Sequence, residues 1–94
     1  MVYILELSSP LGNEKHQARF YVGWTKNEHT LQARLQHHRS GTGAAFTRAA
    51  AERGIEMTVV LTIPHGDRQL ERKIKNQKNT KRFVERYARN GGVL

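Results

Sequence analysis

Two apolar runs open the chain. Val2-Tyr3-Ile4-Leu5, closing at Leu7, is dense in branched and aromatic residues and predicts a first strand over 2–7. Ser8-Ser9-Pro10-Leu11-Gly12-Asn13 is rich in turn formers. Ala18 to Trp24, centred on Phe20, Tyr21 and Val22, predicts a second strand, so the two runs predict an antiparallel hairpin with a long loop. The period then lengthens. Leu31, Leu35 and His38 recur at helical spacing with Arg34 on the same side, which predicts a helix capped by Thr25 or Asn27 and running to about Arg39. Ser40-Gly41-Thr42-Gly43 stops it. Ala44 to Arg53 is alanine-rich and helical, with Gly54 ending it.

A third strand is predicted from Ile55 to Ile63. Met57, Val59, Leu61 and Ile63 alternate with Thr58 and Thr62, and Val60 breaks that alternation, which predicts a strand covered on both faces. Pro64-His65-Gly66 turns the chain, and Asp67 caps a helix carrying Leu70 and Ile74. A last helix, Thr80 to Arg89, carries Phe83, Val84 and Tyr87 before Gly91-Gly92 ends the order. The succession β-β-α-α-β-α-α predicts an α/β chain of the α+β kind: a small three-stranded antiparallel sheet flanked by helices. At 94 residues the chain has room for one core, so 1–94 is expected to be a single domain.

Composition narrows the chemistry. There is no cysteine, which excludes a disulfide scaffold, a thiolate zinc site and a cysteine nucleophile. No apolar run approaches the ~18 residues of a membrane span. Met1 to Leu7 lacks the basic start and cleavage site of a signal peptide, so the expected location is cytoplasmic. Sixteen Lys and Arg against eight Asp and Glu leave a net charge of +8, which favours a polyanionic partner, nucleic acid first. The basic residues crowd between Arg68 and Arg89, where Glu71 and Glu85 are the sole acids. Arg72, Lys75 and Lys78 form a stripe if that helix continues. Lys26, Arg39, Arg48, Arg72, Lys75, Lys78 and Lys81 are the candidate phosphate contacts. A solvated helix face is the commoner fate of such charge runs.

Five residues carry chemistry. Arg34 offers a permanent charge with a planar fork suited to phosphate oxygens, and His38, one turn on, shares its face. Glu71 is a hard oxygen ligand for a magnesium ion that keeps several waters. A hydroxyl of Tyr3 or Tyr21 serves in proton transfer if nearby positive charge lowers its pKa from about 10. Each also has a plain structural reading: tyrosines that pack in strands, a solvated Arg34, a His38 at a helix C-terminus, a Glu71 paired with Lys75.

The same residues resemble the GIY-YIG nuclease domain. Val2-Tyr3-Ile4 is similar to the first motif and Tyr21-Val22-Gly23 to the second. Leu31, Arg34-Leu35 and His38 resemble the arginine helix, Gly41-Thr42-Gly43-Ala44 resembles the small single-domain branch, and Glu71 with Ile74-Lys75 resembles the metal-binding segment. The resemblance runs from Val2 to about Arg89 and rests on the ordered set. It implies a DNA endonuclease that hydrolyses phosphodiesters with one Mg2+ ion, for which Mn2+ substitutes. By it, Tyr3 is the general base or its partner, and Tyr21 shares that role or positions the water. Arg34 contacts the phosphate, Glu71 holds the metal, and His38 assists at the leaving oxygen. The implied substrates are structured, nicked or branched DNA. Specificity would come from DNA structure, a partner protein or a homodimer, and a double-strand break would need two copies or two events. Val2 stands where the family has glycine, and Asn76 and Asn79 do not match the spacing of the family's asparagine. The alternative reading is a non-catalytic nucleic-acid-binding module that kept the fold.

Overall fold

The computed structural model describes residues 1–12, 17–77 and 79–89, with backbone alone for Gln17, Ala88 and Arg89. Asn13, Lys78 and Gly91-Gly92 lie outside the described residues. The elements follow in the expected order: β1 (Val2–Gly12), β2 (Gln17–Trp24), α1 (Glu28–Ser40), α2 (Ala45–Glu52), β3 (Met57–Ile63), α3 (Arg68–Asn76) and α4 (Thr80–Arg89). The sheet has the order β2-β1-β3, and β1 is antiparallel to both neighbours. Among the described residues no helix is long and apolar enough to cross a membrane.

β1 is central, which explains why its apolar residues run together rather than alternate. Tyr3, Leu5 and Leu7 point into one core with Leu31 and Leu35 of α1 and Ala50 of α2. Val2 and Ile4 point into a second core with Ile74 of α3, against which Leu70, Phe83 and Val84 also pack. A strand with helices on both faces has no polar side to show.

The bulges correct two boundary expectations. The first strand continues to Gly12 instead of stopping at Leu7. Glu6 pairs with Phe20 and Leu11 with Ala18, so five steps along β1 match two along β2. The turn formers Ser8, Ser9 and Pro10 therefore leave the ladder as a bulge, a place where proline's missing N–H costs no ladder bond. The Ser8 amide donates to the Glu56 carbonyl at 2.9 Å and the Ser8 hydroxyl accepts from the Glu56 amide at 3.0 Å, which pins the bulge to the approach of β3.

The second bulge is Val60. Leu5 pairs with Val59 and Ile4 with Leu61, which leaves Val60 as the extra residue. One added residue flips side-chain parity. Met57 and Val59 thus face the α1–α2 side, while Leu61 and Ile63 face the α3–α4 side. The break in alternation does mark cover on both faces, yet Val60 itself is 36 % exposed. β3 begins at Met57 rather than Ile55.

Caps set the helix starts. Asn27, rather than Thr25, caps α1: its side chain accepts from the Thr30 amide at 3.0 Å while the Thr30 hydroxyl accepts from the Asn27 amide at 3.0 Å. Asp67 caps α3 through the Leu70 amide at 2.8 Å. α3 ends at Asn76, so the Arg72–Lys75 stripe stops within it. Val2, in place of glycine, is fully buried in the second core. A Cβ on Gly66 would lie 2.7 Å from its Cγ2, so Gly66 supplies the room that Val2 takes.

Candidate active site

Tyr3 is the centre of the arrangement. β1 places it on the α1–α2 face with no exposed surface. Across the ladder it pairs with Gly23. A Cβ there would come within 2.5 Å of the Tyr3 hydroxyl and closer still to Cζ, so the glycine is what lets the phenol lie over β2. The Tyr3 hydroxyl is hydrogen-bonded to His38 Nε2 at 2.8 Å, across 35 residues of sequence.

His38 is buried at 2 % exposure on the last turn of α1. Its helical spacing with Leu31 and Leu35 brings it onto the core face. The other ring nitrogen, Nδ1, lies 2.7 Å from Thr47 Oγ1 on α2, and the Thr47 hydroxyl donates to the Ala44 carbonyl at 3.0 Å. Both nitrogens of a buried imidazole are thereby satisfied.

Tyr21 closes the site from β2. Its ring meets His38 edge-on at 5.0 Å and stacks on Phe46 of α2 at 6.0 Å. The Lys75 ammonium of α3 lies 5.7 Å over the same ring, and Lys75 pairs with Glu71 at 3.7 Å. The helix carrying the carboxylate therefore reaches the tyrosine that borders His38. Arg34 is exposed on α1 and lines a cavity of about 500 Å³ with His37, His38, Thr42 and Gly43.

Electrostatics tie the five residues together. Burial is the main force raising the Tyr3 pKa, with the Tyr21 phenol and the Glu71 carboxylate adding to it and the Arg34 charge opposing. Tyr21 is raised by burial first, then by Glu71, again against Arg34. His38 is pushed below its ordinary value by burial first, then by Arg34 and His37. The expectation that positive charge would lower a tyrosine pKa is therefore corrected: Arg34 does pull downward, but desolvation outweighs it. At neutral pH both phenols keep their protons and His38 is neutral.

The basic residues divide by location. Arg72 and Lys75 share α3 with Glu71, and Lys81 is exposed at the start of α4. Lys26 is exposed just before α1. Arg48 pairs with Glu52 along α2 at 3.3 Å, both exposed. Arg39 donates to the Met57 carbonyl at 3.4 Å, on the β3 side. Lys78 lies outside the described residues. Asn79 accepts from the Arg82 amide at 3.4 Å and so serves the start of α4, while Asn76 is exposed.

Sequence reasoning missed Thr47 and Phe46, and read Gly43 only as part of a helix stop and of the Gly-Thr-Gly-Ala resemblance, not as the seat of His38. One signal pointed to the first: a histidine on an apolar helix face needs a partner for its second nitrogen, and Thr47 is a hydroxyl within the alanine-rich α2. For a metal, no three His, Asp or Glu side chains converge among the described residues. Glu71 offers one partly buried carboxylate, which fits an ion that keeps several of its waters and shares substrate oxygens.

A family model described as the GIY-YIG catalytic domain matches residues 1–86. No curated protein and no solved structure matches the chain.

Proposed function

We propose that this chain, which belongs to the GIY-YIG catalytic domain family and so to a family of nucleases, is a magnesium-dependent DNA endonuclease. The observation that carries the reading is the buried hydrogen bond between Tyr3 and His38, with Arg34 and Glu71 acting on both phenols. A water attacks the phosphorus, the new O–P bond forms and the P–O bond to the leaving strand breaks. Tyr3 is fully buried, so the attacking water gives its proton to the part-buried Tyr21 oxygen, the Tyr21 proton passes to the Tyr3 oxygen to which it is hydrogen-bonded, and the Tyr3 proton moves to His38 Nε2. The leaving oxygen takes a proton from solvent water, and the hydroxide so formed is neutralised by the proton that His38 gives up. A phenol whose pKa is raised would seldom ionise alone, so a neutral imidazole behind it supplies the base that a free tyrosinate would otherwise be. In this reading His38 serves at the Tyr3 proton, a different role from assistance at the leaving oxygen.

Arg34, exposed at the mouth, is suited to grip the scissile phosphate with its planar fork. Tyr21 borders His38 and orients the water. Glu71 would hold the magnesium ion, which when bound supplies charge to a phosphate oxygen. Arg72, Lys75 and Lys81, on α3 and α4, would track the DNA backbone. Val2, the residue that departs from the first motif, lies in the core opposite Tyr3 and leaves this site untouched.

Duplex, single-stranded, nicked, flap and branched DNA, each incubated with magnesium and with EDTA, test the reading. The expected result is a product that needs magnesium and is lost in Glu71→Gln. Salt-sensitive binding with no product on any substrate would overturn it in favour of a non-catalytic binding module.

A further inference from the structure

The histidine behind Tyr3 can act as described only if its Nε2 is bare. Imidazole has two neutral tautomers, and the neighbour of one nitrogen decides the state of the other. Here that neighbour is Thr47, whose side chain is fully buried. Its Oγ1 lies 3.0 Å from the Ala44 carbonyl and 2.7 Å from His38 Nδ1.

A hydroxyl has one proton to give. A carbonyl can only accept, so the Thr47 proton belongs on the side of Ala44. Toward His38 the same oxygen can then only accept, which requires a proton on Nδ1. Nε2 is left with its lone pair, and the Tyr3 hydroxyl at 2.8 Å must donate to it. The reverse assignment would set two oxygens, those of Thr47 and Ala44, face to face with no proton between them. One arrangement satisfies every contact: Tyr3 donates to His38, His38 to Thr47, and Thr47 to Ala44.

The surroundings hold the ring in that pose. A Cβ on Gly43 would lie 2.6 Å from His38 Nδ1 and 3.3 Å from its Cα, so only glycine leaves the imidazole this seat. Tyr21 meets the ring edge-on from the far side. The Gly-Thr-Gly-Ala connection between α1 and α2 thus does two things: Gly43 makes room for the ring, and Ala44 supplies the carbonyl that fixes the direction of the chain of bonds.

We propose that Thr47 is a positioning residue of the nuclease site, which holds His38 in the Nδ1–H tautomer so that Nε2 can take the Tyr3 proton. Its catalytic part rests on the function proposed above, while its structural part does not. Thr47 touches neither substrate nor metal and acts only through His38.

Long-range 1H–15N spectra of the whole protein at about pH 8, well above the ordinary histidine pKa of ~6.5, read the tautomer directly. The His38 signals are assigned by their loss in His38→Asn. The wild type is expected to show a protonated Nδ1 and a bare Nε2. Thr47→Val, equal in shape but without the hydroxyl, is expected to move the proton toward Nε2 and to slow single-turnover cleavage at least tenfold with KM unchanged. Thr47→Ser is expected to restore both. A wild type with its proton on Nε2 overturns the proposal, and that reading needs no variant to fold. So does a folded Thr47→Val with the wild-type tautomer. A tautomer that shifts as expected in a protein that cuts no DNA leaves the Thr47 assignment standing and refutes the nuclease reading alone.

Discussion

Gly23→Ala is expected to destabilise the protein and abolish cleavage together. At a strand position with free space, replacing glycine by alanine stabilises by about 0.4–1 kcal/mol, because the unfolded chain loses freedom. Position 23 reverses that sign. The added methyl carbon would sit 2.5 Å from the Tyr3 hydroxyl oxygen and 2.8 Å from ring Cε1. Carbon atoms in good contact stand ~3.5–4.0 Å apart, so the phenol must retreat by about 1 Å. The ring has no free side to retreat to, since it is fully buried among Leu5, Leu31 and Leu35. Overpacking of this kind costs about 1–3 kcal/mol. Any such displacement of the phenol also disturbs its 2.8 Å hydrogen bond to His38. Urea unfolding, read by circular dichroism, gives the stability, and single-turnover cleavage gives the second arm. A Gly23→Ala protein as stable as the wild type, cutting at the same rate, would refute the claim that the Tyr3 ring rests on that glycine.

Other outcomes follow from the same geometry. Gly66→Ala is expected to destabilise, and Val2→Ala in the same chain to relieve it in part, because the closest clash, with Val2 Cγ2 at 2.7 Å, is removed while Val2 Cβ at 3.0 Å and the Ile63 carbonyl oxygen at 3.2 Å remain. A double-mutant cycle in urea should give a coupling of about 0.5–3 kcal/mol, and simple additivity would contradict the contact. Stability should also fall at both pH extremes. His38 binds its proton more weakly folded than unfolded, so the unfolded chain gains protons first as pH drops below ~6.5 and folding weakens. Tyr3 holds its proton more tightly when folded, so that stability is present below about pH 10 and is lost as pH rises above it. Urea midpoints across pH should therefore decline less steeply on the acid side in His38→Gln than in the wild type, and equal slopes would sink the assignment.

Much of the fold was legible because the signals are local. Asn27, Asp67 and the apolar spacing of Leu31, Leu35 and His38 each act within one helical turn, and the helices start where those residues say. The break at Val60 was visible, yet only pairing with β1 shows that it is an extra residue reversing parity along β3. Ser8-Ser9-Pro10 read as a turn because a long bulge and a loop use the same residues; their distinction lies in the tie to Glu56, 48 residues away. At the site, the tyrosines, Arg34, His38 and Glu71 were legible as residue types in order. The direction of the tyrosine pKa shifts was not, since it depends on burial by three separate elements. Thr47, and the part Gly43 plays beyond stopping α1, stayed hidden because their meaning comes from what His38 touches.

Tyr3→Phe is the most direct test of the Tyr3–His38 pair. The substitution keeps the ring that fills the core and removes the one hydroxyl bonded to His38. Leaving that buried nitrogen unpaired costs about 1–3 kcal/mol, which a melting curve will register. Under single turnover with magnesium and cuttable DNA, the account predicts a rate at least ~10²-fold below wild type, the usual share of a positioned proton-transfer group. A folded Tyr3→Phe protein that cuts at the wild-type rate would contradict it.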